Sequence, residues 1–157
     1  MKKKNIIELL IFILFAELVG ALSALLTGDF SQSYSVIVKP PLSPPGILFP
    51  IVWTILYALM GVSAFIIFKA KKPQMYKSAA LKVYALQLFV NFLWSIIYFR
   101  FELLLLAAAD IILLDVLVFV MIVRFFKIRP SAAFINIPYI IWLLFATYLN
   151  IATVILN

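Results

Sequence analysis

Three tryptophans and a few amide groups are the side chains that could do chemistry inside the apolar segments of this chain. Trp53, Trp94 and Trp142 offer flat surfaces on which a planar aromatic ligand can stack. Asn91 and Asn150 offer hydrogen-bonding groups, and an amide that faces lipid without a partner costs roughly a few kcal/mol. These residue types favour a stacking pocket with polar orientation of the ligand.

The chain contains no cysteine and no histidine. Disulfides, thiolate chemistry, Cys/His metal sites and imidazole acid–base catalysis are therefore excluded. The usual His or Cys axial ligand of a haem iron is missing as well. We expect no metal site and no required cofactor, and the sequence offers no general-base set for an enzyme.

Helical spacing places the aromatic and polar residues on shared faces. Two stripes have the spacing i, i+4, i+7, i+11, and a third follows it closely. They are Trp53, Tyr57, Met60/Gly61 and Ala64; Gln87, Asn91, Trp94/Ser95 and Tyr98; and Tyr139, Trp142, Ala146 and Leu149/Asn150. Two simpler readings remain open. Tyr98 and Tyr148 could belong to interfacial aromatic belts, and Asn91 and Gln87 could simply be hydrogen bonds between helices.

Three carboxylates lie in apolar segments, where such groups are functional candidates. Asp110 and Asp115 are five residues apart, roughly 140° around a helix, so they do not form one paired site. Glu17 lies near the centre of its segment without an obvious partner. No role is assigned to Glu17 or Asp115.

The composition is that of a membrane protein. Of 157 residues, 67% are hydrophobic and 12% charged, against about half and a quarter in soluble domains. We predict a single domain, residues 1–157, folded as an all-α membrane protein: a five-transmembrane-helix bundle. The predicted spans are about 6–26, 47–68, 79–99, 103–126 and 131–156, with a long proline-rich loop at 27–46.

The basic residues flank the apolar segments and are strongly biased to one side. A cytoplasmic N-terminus leaves Lys39 and Arg100 outside and puts the other cations inside, as the positive-inside rule favours. The expected location is the cell membrane, multi-pass, with the loop 27–46 and the C-terminus outside. The cations behind the net charge of +7 lie in short loops beside the apolar segments. No soluble basic patch remains for a nucleic acid, so no nucleic-acid partner is expected. The first apolar segment is read as an uncleaved helix.

The segment Lys39–Gly46 carries four prolines, at positions 40, 41, 44 and 45. Proline fixes φ and lacks an N–H donor, so this segment cannot be the interior of a helix. By itself it is most simply a turn between two spans, because prolines often follow helix ends. If the charge bias sets the orientation, the segment lies over the aromatic stripes and could act as a lid.

Four motifs in chain order resemble the TspO/MBR family, the translocator or tryptophan-rich sensory proteins. They are Lys39-Pro40, Pro44-Pro45, Phe49, Val52-Trp53, Leu56-Tyr57 and Met60-Gly61; Gln87-Leu88, Asn91 and Trp94-Ser95; Asp110; and Pro138-Tyr139, Trp142 and Phe145 to Asn150. Each motif alone is modest. Together, on five spans, they are highly specific.

The resemblance implies a five-helix bundle, commonly a homodimer, with a cavity closed by the first loop. It implies binding of porphyrins, including haem as a ligand, and of isoquinoline-carboxamide and benzodiazepine drugs. By analogy the ligand site comprises Tyr34, Pro44, Trp53, Asn91, Trp94, Trp142, Ala146 and Asn150, with Asp110 as a further polar group. Trp53 and Trp142 match two tryptophans implicated in light-dependent porphyrin breakdown.

The loop departs from the family pattern at two positions. Leu42 and Ser33 stand where the family usually or often has tryptophan. The lid therefore has less stacking surface, and Leu42→Trp is expected to tighten porphyrin binding if the segment is a lid. The animal cholesterol pattern, which needs a basic residue after the tyrosine of the fifth span, is not supported.

The leading interpretation is an integral membrane receptor or sensor that binds porphyrins in a cavity capped by the first loop. One alternative is a light-dependent porphyrin-degrading protein in which Trp53 and Trp142 donate electrons. Another is a small-molecule transporter, although few charges lie within the spans and no inverted repeat is visible.

Overall fold

The computed structural model describes residues 3–28, 35 and 37–157, and the regular structure of this part of the chain is helical. Five helical segments within it are long and apolar enough to cross a bilayer. The predicted all-α bundle of five transmembrane helices is thereby confirmed. Two positions of the predicted loop, Ser33 and Tyr34, lie outside the described residues.

Six helices make up the five spans. The helices are α1, Lys3–Thr27; α2, Leu48–Lys69; α3, Gln74–Ser95; α4, Leu104–Ile128; α5, Pro130–Ile135; and α6, Ile137–Leu156. Helix α3 continues into a π-helical turn, Ile96–Arg100, and α5 and α6 together form the fifth span.

The third span begins at Gln74, five residues before the predicted position 79. Pro73 has φ −51° and ends the linker, and the helix starts directly after it. The first turn is polar, which is why a search for apolar residues missed it. Lys77 in that turn donates from Nζ to the carbonyl of Phe68 at 3.2 Å, so its charge lies where two spans meet.

The spans pack in a ring, and α2 and α3 also contact each other across it. Helix α1 packs on α2 and α3, α4 packs on α3 and on both helices of the fifth span, and α2 packs on α5. Close backbone approaches between α2 and α6 are few. The space between these two helices is instead spanned by aromatic side chains, which are described with the site.

The fifth span is interrupted at Asn136. Its backbone, at φ −90° and ψ 1°, is not helical, and Pro138 follows in the first turn of α6. The Asn136 Nδ2 group donates to Ser63 Oγ at 2.6 Å and to the Ala132 carbonyl at 2.8 Å. Ser63 Oγ donates to the same carbonyl at 2.8 Å. This buried cluster, the Asn136 clamp, joins α2 to the break.

The two ends of the bundle differ in chemistry. The loop end carries residues 37–47, the turn at residues 101–103 and the last turn of α6. The lysine end carries the start of α1, the linker at residues 70–73 and the junction at Arg129. The described residues of the predicted ligand site lie on α2, α3, α4 and α6 and in the proline segment, all of which reach the loop end.

Candidate functional site

A cavity of about 250 Å³ lies between α1, α2 and α3 in the loop-end half of the bundle. We call it the aromatic cavity. Five aromatic rings and four polar side chains line it, together with small residues of α1: Phe49, Trp53, Tyr57, Trp94 and Phe99; Ser23, Thr27, Asn91 and Ser95; and Gly20 and Ala24. Its lining includes none of the charged residues of the described chain, so it favours a flat, largely apolar molecule.

A second, much smaller cavity of about 30 Å³ lies beneath the proline segment. Pro40 and Ser43 of the loop cover it, and Ala146 and Asn150 of α6 form its floor. Three side chains line both cavities, namely Phe49, Trp94 and Phe99. These three rings form the wall between the two spaces, and we call them the shared wall.

Trp94 is fixed by contacts on both sides. Its Nε1 donates to Asn150 Oδ1 at 3.3 Å, and its ring lies 5.3 Å from the ring of Tyr98 and 5.9 Å from that of Phe99. Asn150 Nδ2 donates in turn to the carbonyl of Leu104 at 3.5 Å. The indole is thus linked to α4 and α6 through Asn150, and it lines both cavities.

Asn91 belongs to a hydrogen-bond chain as well as to the lining of the aromatic cavity. Its Nδ2 donates to the hydroxyl of Tyr139 at 3.1 Å, and that hydroxyl donates to Gln87 Oε1 at 2.8 Å. All three side chains are buried, with exposures of 2% or less. For Gln87, which lines neither cavity, the simpler reading as a hydrogen bond between helices is confirmed. Asn91 combines both roles.

Trp53 and Trp142 are held apart by other rings. Trp53 lies 5.8 Å from Tyr57 and 6.2 Å from Tyr139, whereas Trp142 lies 6.0 Å from Phe49. Trp142 lines neither cavity, and its buried Nε1 has no hydrogen-bond partner within the described chain. The two tryptophans therefore flank the region between α2 and α6 without facing each other across one space.

Helix α1 contributes residues that the sequence analysis did not propose for the site. Gly20, Ser23, Ala24 and Thr27 line the aromatic cavity, and they have the spacing i, i+3, i+4, i+7. A stripe of small and hydroxyl side chains at one end of an otherwise bulky helix was the available signal. Ser23 Oγ donates to the carbonyl of Phe92 at 2.8 Å, which ties α1 to α3 beside the cavity.

The proline segment and the adjacent Val38 are bound to α6 and to Asn157, which follows that helix. Tyr148 donates its hydroxyl to the carbonyl of Pro41 at 3.0 Å. The amide of Asn157 exchanges two hydrogen bonds with the backbone of Val38, at 3.1 and 3.2 Å. Pro40 is buried. The segment thus covers the loop end of the bundle, as a lid would need to. Pro44 lines neither cavity.

Leu42 occupies the corner of a tight turn. Ser43 donates its backbone N–H to the carbonyl of Pro40 at 3.3 Å, and Leu42 has φ +69°. Proline followed by a residue of positive φ is the pattern of a type II turn, whose third position favours glycine. The Leu42 side chain is 79% exposed and lines neither cavity.

The intramembrane carboxylates lie away from both cavities. Asp110 has a buried Oδ2 without a hydrogen-bond partner in the described chain, and it lines neither cavity. Asp115 accepts a hydrogen bond from Thr147 Oγ1 at 2.8 Å, which links α4 to α6. Glu17 lies on α1, partly exposed. The structure gives Asp115 a bridging contact and places none of the three at the aromatic cavity.

Comparison with known proteins agrees with this architecture. The TspO/MBR family profile matches residues 12–156. The tryptophan-rich protein TspO of Archaeoglobus fulgidus is 35% identical over 98% of this chain and 99% of its own length. The tryptophan-rich sensory protein of Cereibacter sphaeroides is 32% identical over 94% and 91%, respectively, and the translocator protein of Bos taurus is 30% identical over 88% and 83%. Given its five apolar spans, this chain is a multi-pass membrane protein that belongs to the TspO/MBR family.

Proposed function

We propose that this protein is a membrane receptor that binds porphyrins and related flat, hydrophobic ligands in the aromatic cavity, with the proline segment as its lid. The observation that carries the proposal is the lining of that cavity: five aromatic rings and four uncharged polar groups. Rings supply stacking and apolar area, and a few polar groups set the orientation. No nucleophile–base pair lines the cavity within the described chain, so the arrangement is suited to binding.

The size of the cavity bears on how a porphyrin would enter. Its volume of about 250 Å³ is slightly below the roughly 300–1,000 Å³ of typical ligand pockets. A small bicyclic or tricyclic amide, such as an isoquinoline carboxamide, needs less room than a tetrapyrrole. Porphyrin binding therefore requires the aromatic cavity itself to widen, because joining the smaller cavity of about 30 Å³ to it would add little space. Since the proline segment covers the smaller cavity, its position would respond to the ligand.

The three tryptophans allow a direct test of the site. Protoporphyrin IX is titrated into the protein in nanodiscs, and binding is followed by tryptophan quenching and by the porphyrin absorbance band. Trp53→Ala and Trp94→Ala, which remove rings from the cavity lining, are expected to weaken binding roughly tenfold. Trp142→Phe, one ring behind Phe49, is expected to weaken it less.

A matched control is available on the lipid-facing surface. Phe119 on α4 is 62% exposed, and Phe119→Leu removes an aromatic ring far from the cavity lining. Its porphyrin affinity should equal that of the wild type. Equal losses in Phe119→Leu and Trp94→Ala would mean that the porphyrin partitions into the bilayer or onto the surface, and the proposal would fail.

The same samples test the light-dependent alternative. Illumination of the porphyrin complex should leave its absorbance unchanged if the protein only binds. Loss of absorbance in the wild type but not in Trp53→Phe/Trp142→Phe would indicate tryptophan-dependent breakdown in place of simple reception. Binding is measured before illumination and breakdown is the loss of porphyrin absorbance during it, with each variant saturated with porphyrin, so one result does not hide the other.

We also propose that the lysine end faces the cytoplasm. The described cations other than Lys39 and Arg100 lie on segments that begin or end there, as the positive-inside rule favours. The proline segment then lies on the outer side. Labelling of a single cysteine introduced at position 42 or at position 71 with an impermeant maleimide, in intact cells, distinguishes the two orientations.

A further inference from the structure

A groove of about 320 Å³ opens at the lysine end, on the opposite side of the bundle from the lid. We call it the basic groove. Lys72 and Pro73 of the linker, Tyr76 in the first turn of α3, and Arg124, Lys127 and Ile128 at the end of α4 line it. Three cations from two separate parts of the chain thus converge on one concave space. The positive-inside bias accounts for cations at this end of the bundle but not for their convergence on one concave space.

Among the described residues, no carboxylate compensates the charge of the basic groove. The described acidic residue nearest the N-terminus, Glu8, forms an ion pair with Lys69, which does not line the groove. Glu17, Asp110 and Asp115 lie within the spans, and Glu102 lies at the loop end. The described lining of the groove contains no carboxylate. Three positive charges in a concave site attract an anion much more strongly than they would if spread over a surface.

Hydrogen-bond donors remain available in the groove. Arg124 Nη1 donates a long hydrogen bond of 3.5 Å to the carbonyl of Ala79. The guanidinium carries five N–H donors in all, so others are left for a ligand. The first turn of α3 borders the groove through Tyr76, so the positive end of that helix dipole adds to the field. A planar guanidinium beside two ammonium groups suits the oxygens of a phosphate group.

We propose that the basic groove binds the phosphate of an anionic phospholipid headgroup. The groove lies where α4 ends and α3 begins, the level at which membrane spans meet the headgroup layer. Ile128, Pro73 and the ring of Tyr76 supply apolar contacts for the glycerol and the first acyl carbons. Tyrosine is also a residue of the membrane interface. A free phosphate ion would fill only part of 320 Å³, about ten times the liquid volume of a water molecule.

This site is independent of the ligand in the aromatic cavity. The two spaces share no lining residue. The basic groove would bind lipid whether or not the protein binds a porphyrin, and failure of either proposal leaves the other standing.

Two pairs of cations of the same type, Lys72 with Lys71 and Arg124 with Arg129, give a test with matched charge. The first member of each pair lines the groove, whereas the second is exposed and does not line it. Each is replaced by glutamine, so every variant loses one positive charge. The proteins are reconstituted with phosphatidylcholine and phosphatidylglycerol and released into mild detergent, and the lipid molecules retained are counted by native mass spectrometry.

We expect the wild type to retain one phosphatidylglycerol in preference to phosphatidylcholine. Lys72→Gln and Arg124→Gln should each reduce that occupancy about fivefold or more, since each removes a charge-assisted hydrogen bond to the bound phosphate. Lys71→Gln and Arg129→Gln should keep it. Unchanged thermal unfolding of all four variants shows that the fold is intact.

Two results would overturn the proposal. Equal loss within each pair would mean that the protein attracts anionic lipid only by its overall charge. Displacement of phosphatidylglycerol by inorganic phosphate at the same concentration would mean that the groove is a site for the free ion, and the headgroup assignment would be wrong.

Discussion

The two halves of the bundle are crossed by the same five spans but are packed by different kinds of side chain. In the lysine-end half, glycine, alanine and serine bring helices together: Gly61, Ser63, Ala64, Ala132 and Ala133 are all buried. In the loop-end half, aromatic rings separate the helices and leave a cavity of about 250 Å³. Small residues permit close backbone contact, whereas rings of fixed shape leave space between them.

The difference is clearest at two glycines on the contact between α1 and α2. A Cβ on Gly61 would lie 2.6 Å from the Cα of Ile13 and 2.8 Å from the carbonyl oxygen of Phe12. A Cβ on Gly20 would meet the ring of Tyr57, which lines the aromatic cavity. Backbone cannot move aside without shifting a helix, but a ring beside a cavity can. The α1–α2 spacing is therefore fixed by backbone contact at Gly61, whereas at Gly20 the ring beside the cavity has room to move.

The largest expected effect comes from Gly61→Ala. The added methyl group meets the α1 backbone, so the two helices must separate along their contact. We expect the overpacking to lower the free energy of unfolding by about 3 kcal/mol, at the upper end of typical costs. The gain of about 1 kcal/mol that alanine brings to a helix offsets only part of this loss. Thermal unfolding in detergent, followed by circular dichroism, measures it. Ala109→Leu on the exposed face of α4 is the control.

The Asn136 clamp should produce the next largest effect. Asn136→Ala removes the Nδ2 group that donates to Ser63 Oγ and to the Ala132 carbonyl. Leaving such buried groups less well bonded costs about 1–3 kcal/mol, so we expect a loss of about 2 kcal/mol in the same unfolding assay. Porphyrin affinity should not change, because the clamp lies outside the lining of both cavities. A large fall in affinity would contradict the separation of the two halves.

Leu42→Gly is expected to stabilise the loop end. A side chain at φ +69° costs about 1–2 kcal/mol relative to glycine. The greater freedom of glycine in the unfolded chain offsets part of this difference, so the free energy of unfolding should rise by about 1 kcal/mol. Hydrogen exchange of the Ser43 amide reports on the turn. Faster exchange in the variant would show that the strain argument is wrong.

Leu42→Trp remains a prediction about the lid. The side chain at this position is 79% exposed and lines neither cavity. Tighter porphyrin binding would therefore require the turn to rotate the indole inward when the ligand enters. Unchanged affinity would mean that the turn connects and covers the helices but does not contact the ligand.

The smallest effect on stability is expected for Gly20→Ala. The gain in helix propensity of about 1 kcal/mol should offset most of the cost of moving the Tyr57 ring, so the unfolding temperature should stay close to the wild-type value. The displaced ring would enter the aromatic cavity and weaken ligand binding. A loss of stability as large as that of Gly61→Ala would remove the contrast between the halves.

Much of the fold followed from the residues themselves. Long apolar runs in a bilayer must be helical because their backbone groups find no partner in lipid, and charged or proline-containing breaks set the ends. The predictions missed the polar first turn of α3 and the break at Asn136. Both make a contact with another span: Lys77 with the end of α2, and Asn136 with Ser63. Such contacts leave no mark on hydropathy.

The site was predictable in part. Trp53, Asn91 and Trp94 line the aromatic cavity, and Ala146 and Asn150 line the smaller one. Helical spacing did not predict that Phe49 would stand between Trp53 and Trp142, or that α1 would supply part of the lining. The π-helical turn at Ile96–Arg100 also came only from the structure. It brings the adjacent residues Tyr98 and Phe99 into the core together.

The amino-acid sequence by itself determined the class of protein, the number of spans and the faces that carry its aromatic and amide groups. These features depend on the properties of single residues and on helical periodicity. The tertiary structure decided which faces meet, where the helices separate and that three cations from distant segments share one groove. Those outcomes depend on shape complementarity between helices, which depends on the simultaneous packing of many side chains and cannot be read from any one segment.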